Sequence, residues 1–131
     1  MLTRLDHLVL NVRDIERTVD FYTRVLGFEV RYGDNGRTAL VTGDLQIKLH
    51  GPDFEATPKA KSPAPGSMDL CFITTLDDDE LTRHFDTLDV ALEEGPVHRH
   101  GAAGALVSYY LRDPDGNLIE LARPRRTADS V

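Results

Sequence analysis

Hydrophobic and polar residues alternate along the first segment of the chain, "LDHLVLNV" at residues 5–12. Successive side chains of a β-strand point to opposite faces, so one face carries Leu8, Leu10 and Val12 while the other carries His7. The alternation therefore predicts a strand with one packed face and with a histidine on its second face.

Helical spacing replaces this alternation in the next segment, "RDIERTVDFYTRVLGFEV". Asp14 is a suitable N-cap and Gly27 a suitable residue just beyond the C-terminal end, and the apolar residues between them recur every three or four positions. Three short strands, "FEVRYG", "RTALVTG" and "LQIKLH", follow with turn sequences between them. Residues 3–50 are thus predicted to form a β-α-β-β-β module.

The same order of elements returns after a proline-rich linker at 51–66. "MDLCFITT" predicts a strand, "LDDDELTRHFDTLDV" an amphipathic helix, "GPVHRHG" a short strand or a loop, and "ALVSYYL" and "NLIELA" two further strands joined by the turn "DPDG". Residues 67–124 form the second predicted module, and the tail at 125–131 is expected to fray. We therefore expect a single domain over residues 1–131, of the α+β class, built from paired β-α-β-β-β modules.

Each predicted module has one helix for a four-stranded sheet, so one face of each sheet lacks a helix. The apolar residues of each strand share the parity that packs on the helix, and the ionisable residues share the opposite parity. Ionisable side chains are costly to bury unless they are paired, bound to a metal or hydrated. The polar residues expected on the uncovered faces are His7, Lys48, His50, Asp69, Ser108, Tyr110 and Glu120.

The charge balance narrows the class of partner. The chain has 15 Lys and Arg against 22 Asp and Glu, a net charge of −7, which argues against nucleic acid and anionic membranes as partners. No apolar run approaches the roughly 18 residues of a membrane span. The single cysteine, Cys71, cannot form an internal disulfide, and we expect a cytoplasmic protein.

The segment "LDHLVLNVRDIERTVDFYTRVLGFEV", followed later by "YLRDPDGNLIELA", resembles the vicinal oxygen chelate superfamily, and the resemblance extends over roughly residues 3–124. That superfamily includes glyoxalase I, extradiol dioxygenases, fosfomycin-resistance thiol transferases and bleomycin-binding proteins. The segments "PGSMDLCFIT" and "EEGPVHRHGA" are most similar to its small single-domain glyoxalase-like branch, which includes a virulence-associated bacterial protein. The resemblance implies that the paired modules form an open cup-shaped sheet around a divalent metal, commonly in a homodimer.

The resemblance also implies metal ligands at His7 on the first strand and at Glu120 on the last strand. Glyoxalase I has a ligand glutamate where this chain has Lys48, and a ligand histidine where it has Asp69. Protonated lysine cannot bind a metal, so the glyoxalase ligand set is incomplete here. His50 is expected to complete the set, with Asp69 as the alternative ligand or as an acceptor that orients His7. Two histidines and one carboxylate suit Zn, Ni, Mn or Fe(II).

Further polar residues are expected to contact a substrate. Ser108 and Tyr110 match positions at which the fosfomycin-resistance enzymes carry substrate or ion contacts, and Lys48 belongs to the same predicted face as the ligands. In "HRH", the two histidines are expected to lie on a mobile rim, with Arg99 between them as an anion contact. The segment "DPDG" is a turn signal and is assigned no chemistry.

The shared chemistry of the superfamily implies a metal-dependent glyoxalase-like lyase or transferase acting on a small oxygen-chelating substrate, with Glu120 as metal ligand and catalytic base. The expected co-substrate, if the reaction needs one, is glutathione or another thiol. One alternative is an extradiol-type ring-cleaving dioxygenase, although the additional acid–base histidine of those enzymes is not identifiable here. The other is a non-catalytic protein that binds a bleomycin-like drug. Bound metal distinguishes the enzymes from the drug-binding members, which work without it.

Overall fold

The computed structural model of the protein describes residues 1–129. The predicted tail is therefore described as far as residue 129, and its last two residues lie outside the described range. Within that range the chain forms eight strands and two α-helices, in the order β1 (His7–Asn11), α1 (Ile15–Arg24), β2 (Glu29–Tyr32), β3 (Thr38–Thr42), β4 (Leu45–His50), β5 (Asp69–Ile73), α2 (Asp78–Thr87), β6 (Glu94–Gly101), β7 (Gly104–Arg112) and β8 (Leu118–Pro124).

The first module is a four-stranded sheet with the strand order β1-β4-β3-β2. β1 and β4 pair in parallel, and the other pairs are antiparallel. α1 begins after Asp14, whose side chain accepts a hydrogen bond from the backbone N–H of Arg17 at 3.0 Å, as an N-cap does. Tyr22 of α1 is fully buried, and so are Leu40 and Ile47 of the sheet.

The second module repeats this arrangement with the order β5-β8-β7-β6, again with one parallel pair, β5 and β8. α2 begins in a capping box, in which Asp77 and Glu80 each accept a hydrogen bond from the backbone N–H of the other. Leu81 and Phe85 are the buried residues of this helix. The α+β class and the paired β-α-β-β-β modules predicted from the sequence are thus confirmed.

Contacts along the chain group the residues into two compact units that nearly coincide with the modules. Unit 1 contains residues 1–68 together with 113–117, and unit 2 contains 69–112 together with the chain from residue 118 onward. The turn "DPDG" and the asparagine after it therefore belong by their contacts to unit 1, although they connect two strands of unit 2.

This turn is confirmed, and its first residue is the centre of a buried hydrogen-bond cluster. The Asp113 carboxylate accepts from the Tyr22 hydroxyl at 2.8 Å, from the Asn117 side-chain amide at 2.8 Å and from two backbone N–H groups. Gly66 packs on the same turn with φ of +78°, where a Cβ atom would lie 2.6 Å from the carbonyl oxygen of Asp115. Both its backbone conformation and its space therefore require glycine.

The segment "GPVHRHG", predicted as a short strand or a loop, lies within β6, an eight-residue strand paired with β7. His98 and His100 therefore lie on a strand and not on a loop. The register shifts between Glu94 and Val97, which leaves Pro96 at an irregular point of a strand at the end of its sheet, where its missing N–H breaks no regular ladder.

The start of the tail is also held in place. Arg125 donates its backbone N–H to Ala105, and Thr127–Asp129 forms a 3₁₀ turn whose last side chain is paired with Arg123. Fraying is therefore not seen over 125–129. None of the helices in the described part of the chain is long and apolar enough to cross a membrane.

Candidate functional site

Polar side chains share one face of the sheet in unit 2. The register places Glu120 beside Cys71 of β5 on one side and beside Tyr110 of β7 on the other. Ser108 and Tyr110 have the same parity on β7, and Arg99 of β6 lies on this face as well. The parity predicted from the sequence thus brings Ser108, Tyr110 and Glu120 to one face, and β6 adds Arg99 to it.

The Glu120 carboxylate is half-buried and is held by its neighbours. Its Oε2 accepts a hydrogen bond from the hydroxyl of Ser108 at 2.6 Å, and Ser108 is fully buried. Cys71 also interacts with Glu120 through its thiol. Loss of solvation and the Glu120 charge raise the pKa of Cys71 to about 11, so this cysteine is a neutral thiol at physiological pH and not a nucleophile.

Arg99 and Tyr110 extend this cluster. The Arg99 Nε donates to the Tyr110 hydroxyl at 3.0 Å, and its guanidinium lies 5.5 Å from the centre of the Tyr110 ring. Burial raises the pKa of Tyr110 and outweighs Arg99, which lowers it, while Glu120 contributes to the increase. The Tyr110 hydroxyl therefore stays protonated and can donate a proton or a hydrogen bond.

Asp69 was predicted as a site residue and Cys71 was not, but it is Cys71 that lies beside Glu120 in the structure. Asp69 lies on β5 with the parity of Cys71, but it is exposed and its side chain makes no hydrogen bond or ion pair in the described part of the chain. The position of Cys71 two residues after Asp69 on the same strand face was the signal that could have identified it. The cross-strand neighbour of Glu120 is thus the thiol.

In unit 1, His7 has a carboxylate partner of its own. The His7 Nδ1 donates to Oδ2 of Asp6 at 2.9 Å, and this bond lowers the pKa of Asp6. A neutral imidazole that donates from Nδ1 keeps a lone pair on Nε2. Metal-binding histidines commonly have this carboxylate contact on their second nitrogen. Asp6, directly before His7 in the sequence, was not among the predicted residues.

His50 and Lys48 line a cavity of about 320 Å³ in unit 1. The ring of His50 is stacked on Phe54, with the ring centres 3.6 Å apart and the planes inclined by 15°. Burial lowers the pKa of His50, and the cationic side chains of Arg37, Lys48 and Lys59 lower it further. The imidazole is therefore neutral, but its surroundings are positive.

The predicted metal ligands differ in how well they suit a divalent cation. His7, whose Nδ1 is bonded to Asp6, and Glu120, whose Oε2 accepts a hydrogen bond from Ser108, both offer donor atoms that suit a divalent ion. His50 fits less well, because the charges that repel its proton would repel a divalent cation more strongly. Among residues 1–129, no three His, Cys, Asp or Glu side chains form a group that could hold a metal ion. The ligand set stays a prediction.

Comparison with known proteins identifies relatives along almost the whole chain. The model of the Glyoxalase/Bleomycin resistance protein/Dioxygenase superfamily matches residues 4–121. The virulence protein STM3117 of Salmonella typhimurium is 46% identical over 123 residues, which cover 94% of this chain and 85% of that protein. Its crystal structure superposes with a TM-score of 0.92 and covers 95% of this chain and 99% of that one. The glyoxalase domain-containing protein RDO1 of Mycosarcoma maydis is 47% identical over 118 residues, which cover 90% of this chain and 66% of that protein.

More distant relatives differ in their activities. They include a glutathione transferase of Serratia marcescens, dioxygenases for biphenyl-2,3-diol and catechol, and the antibiotic-binding protein TnmS3 of a Streptomyces species. Enzymes and binding proteins thus share this fold.

Proposed function

Because this chain belongs to the Glyoxalase/Bleomycin resistance protein/Dioxygenase superfamily, we propose that it is a divalent-metal-dependent glyoxalase-like enzyme, a lyase or transferase. Its substrate would be a small molecule that chelates a metal through two neighbouring oxygens. The observation that carries this proposal is the Glu120 cluster, in which a half-buried carboxylate accepts a 2.6 Å hydrogen bond from Ser108 and has Cys71 and Tyr110 as strand neighbours.

Glu120 would act as the catalytic base. The Ser108 hydroxyl donates a hydrogen bond to Oε2 and so fixes the position of one carboxylate oxygen. A positioned carboxylate can accept a proton from a substrate C–H group and return it at a neighbouring atom. Tyr110 and Arg99 lie on the same face and would contact the substrate as donors, whereas Ser108 is fully buried and donates its hydroxyl hydrogen to Glu120.

A divalent metal would be held by His7 and Glu120, with His50 or Asp69 as the third ligand. When bound, such an ion stabilises negative charge that develops on substrate oxygens. Asp6 supports this role of His7, because its carboxylate fixes the imidazole with Nδ1 as the donor. Zn, Ni, Mn and Fe(II) all suit a set of imidazole and carboxylate ligands.

The same proposal extends to the partners, the location and the oligomeric state of the enzyme. The partner would be a small-molecule substrate, and glutathione or another thiol would be the co-substrate of a lyase or transferase reaction. Lys48 would contact a negatively charged group of the substrate. We further propose that the protein acts in the cytoplasm as a homodimer.

The first test is metal binding, measured as metal content and as thermal stability in the presence of Zn, Ni, Mn or Fe(II). The wild-type protein should gain stability with at least one of these ions. His7→Ala and Glu120→Gln should each abolish the gain, because loss of a ligand costs more than the 10–100-fold in affinity typical of its supporting partners. Whichever of His50→Ala and Asp69→Ala has the same effect identifies the third ligand.

Matched controls are available for both substitutions. Glu93→Gln removes a carboxylate paired with Arg112 on the surface, and His100→Ala removes an exposed histidine of β6. Both variants should keep the full stabilisation by metal. The same set of proteins is then assayed with methylglyoxal and glutathione. The proposal fails if no metal stabilises the wild-type protein, or if Glu120→Gln keeps the wild-type response.

A dioxygenase remains an alternative, but the Glu120 face of unit 2 supplies Tyr110 and Arg99 as polar groups and no histidine in the described residues. Ring cleavage of a catechol with Fe(II) and O₂, abolished by Glu120→Gln, would favour the dioxygenase over the lyase. A wild-type protein free of metal and inert in both assays would favour a binding protein.

A further inference from the structure

The cavity of unit 1 differs in character from the Glu120 cluster. We propose that it binds a small flat organic anion, such as an aromatic carboxylate, through Arg31, Arg37 and Lys48 and against the stacked rings of His50 and Phe54. This inference deepens the proposed function and rests on it, because Lys48 is the proposed substrate contact and His50 a proposed metal ligand; the lining residues all belong to unit 1.

The charge of the cavity is opposite to that of the chain. Acidic residues outnumber basic ones along the sequence, 22 to 15. Yet the residues that line the cavity within the described chain include three cations and no acid. Such a local reversal of charge concentrates anions.

These cations are also without carboxylate partners. In the described part of the chain, Arg31, Arg37 and Lys48 form no ion pair, although Lys48 is near enough to Asp6 to lower its pKa. Arginines elsewhere are paired, for example Arg13 with Asp115 at 3.2 Å and Arg112 with Glu93 at 3.1 Å. The charge of the cavity is therefore available to a ligand.

The space for this ligand arises on the sheet itself. Arg31, Ala39 and Lys48 are cross-strand neighbours on β2, β3 and β4, so the small side chain of Ala39 lies between two long cationic ones. The resulting volume of about 320 Å³ is at the lower end of the range for small-molecule sites. A ligand about the size of a single ring with one charged group fits this volume.

The shape of the ligand follows from His50 and Phe54. Their rings are nearly parallel and only 3.6 Å apart, and both residues are half-buried at the cavity. Aromatic groups pack in offset-stacked or edge-to-face arrangements on such a flat surface. A planar anion therefore gains contacts here that a saturated anion of the same charge does not.

The test uses metal-free protein and benzoate as the probe, with the dissociation constant measured by calorimetry. Benzamide has the same shape without the charge, and cyclohexanecarboxylate has the same charge without the flat ring. Benzoate should bind roughly tenfold more tightly than benzamide, because hydrogen bonds to charged groups are stronger than neutral ones. It should also bind several-fold more tightly than cyclohexanecarboxylate. Its affinity should fall with added salt, as screening of a partly exposed site requires.

Variants separate charge, stacking and space. Lys48→Gln and Arg37→Gln should each weaken benzoate by a few-fold to about tenfold, a range that allows for the solvent exposure of both groups. Phe54→Ala should remove the preference for the flat ring. Ala39→Leu should block binding without any change of charge, because the larger side chain fills the cavity. Arg24→Gln is the control, since Arg24 is paired with Asp20 on α1.

The proposal is overturned if benzamide binds as tightly as benzoate, if Ala39→Leu binds like the wild type, or if no binding is detected at millimolar benzoate. These outcomes are distinct from failure of the metal-dependent function, because the probe and the protein contain no metal. Loss of metal stabilisation in His7→Ala with unchanged benzoate affinity would support anion binding in unit 1 that does not require the metal.

Discussion

Lys48 changes the chemistry of a position at which the superfamily resemblance implies a glutamate ligand. A carboxylate there would attract a divalent ion, whereas the ammonium group repels it and attracts anions instead. The neighbouring His50 keeps its imidazole neutral in these positive surroundings. The proposed anion site of unit 1 thus depends on the charge of Lys48, while the proposed metal ligand Glu120 is a carboxylate of unit 2.

Tyr22 gives a prediction for a single buried hydrogen bond. Its hydroxyl donates to Asp113 at 2.8 Å, and burial, followed by the adjacent carboxylate, raises the pKa of Tyr22. Tyr22→Phe should lower the free energy of unfolding by about 1–3 kcal/mol, because a buried carboxylate loses a donor. Urea denaturation of both proteins measures this difference.

The matched control for Tyr22 is Tyr32→Phe, since Tyr32 is 73% exposed and is not a core residue. Its free energy of unfolding should change by less than about 0.5 kcal/mol. Equal midpoints for wild type and Tyr22→Phe would contradict a structural role for the hydroxyl at Asp113.

At the level of elements, a buried arginine joins α2, β8 and the start of the tail. Arg123 is 5% exposed, and it donates to both carboxylate oxygens of Asp78 at 2.7 and 2.8 Å. It also donates to both carboxylate oxygens of Asp129, at 2.7 and 2.9 Å. Such double hydrogen bonds to a planar guanidinium are specific in geometry. They explain why the tail is ordered after β8, which its composition did not indicate.

This arrangement predicts the pH dependence of stability. Hydrogen bonds from Arg123 hold the pKa values of Asp78 and Asp129 below their usual range. The stabilisation is therefore complete above the unfolded-state pKa of about 3.9 and is lost as the pH falls through the lower folded-state values. Asp129→Asn should lower the urea midpoint at pH 7, and its difference from the wild type should shrink between about pH 4 and pH 2.

Asp44→Asn is the control for this series, because Asp44 forms only an exposed contact with Arg4 at 3.6 Å. It should have nearly the wild-type midpoint at every pH, as expected of exposed ion pairs. A difference between Asp129→Asn and wild type that is as large at pH 2 as at pH 7 would contradict the role given to the Asp129 charge.

At the level of the whole molecule, the sheet of each unit has terminal strands that pair with a neighbouring strand on one side only. β1 and β5 are terminal in the strand orders of their sheets, and each carries an exposed apolar side chain, Val9 at 37% and Ile73 at 63%. Unpaired strand edges and exposed apolar groups favour association with a second copy. This is the physical support for the proposed homodimer.

Light scattering at micromolar concentration should give twice the mass of one chain. Ile73→Lys should shift the protein towards the monomer, because a charge on a terminal strand opposes pairing. Thr42→Lys, on a strand with partners on both sides, should leave the mass unchanged. A wild-type protein with the mass of a single chain would refute the homodimer.

The sequence by itself determined the order of elements, the repeat of the module and the face on which Glu120, Ser108 and Tyr110 lie. These features depend on residue spacing within one strand or helix, and the periods of two and 3.6 are fixed by backbone geometry. The N-cap at Asp14 was identified for the same reason, since capping involves residues three positions apart.

Only the tertiary structure decided which residues meet across elements. The stacking of Phe54 on His50, the pairing of Arg123 with Asp78 and the bond between Tyr22 and Asp113 join residues that no periodicity connects. The extended conformation of β6 was decided by its ladder with β7, which outweighed the local signals of glycine and proline. Such contacts join residues that are far apart in the sequence, so they depend on how strands and loops pack and not on the local preference of a segment for helix or strand.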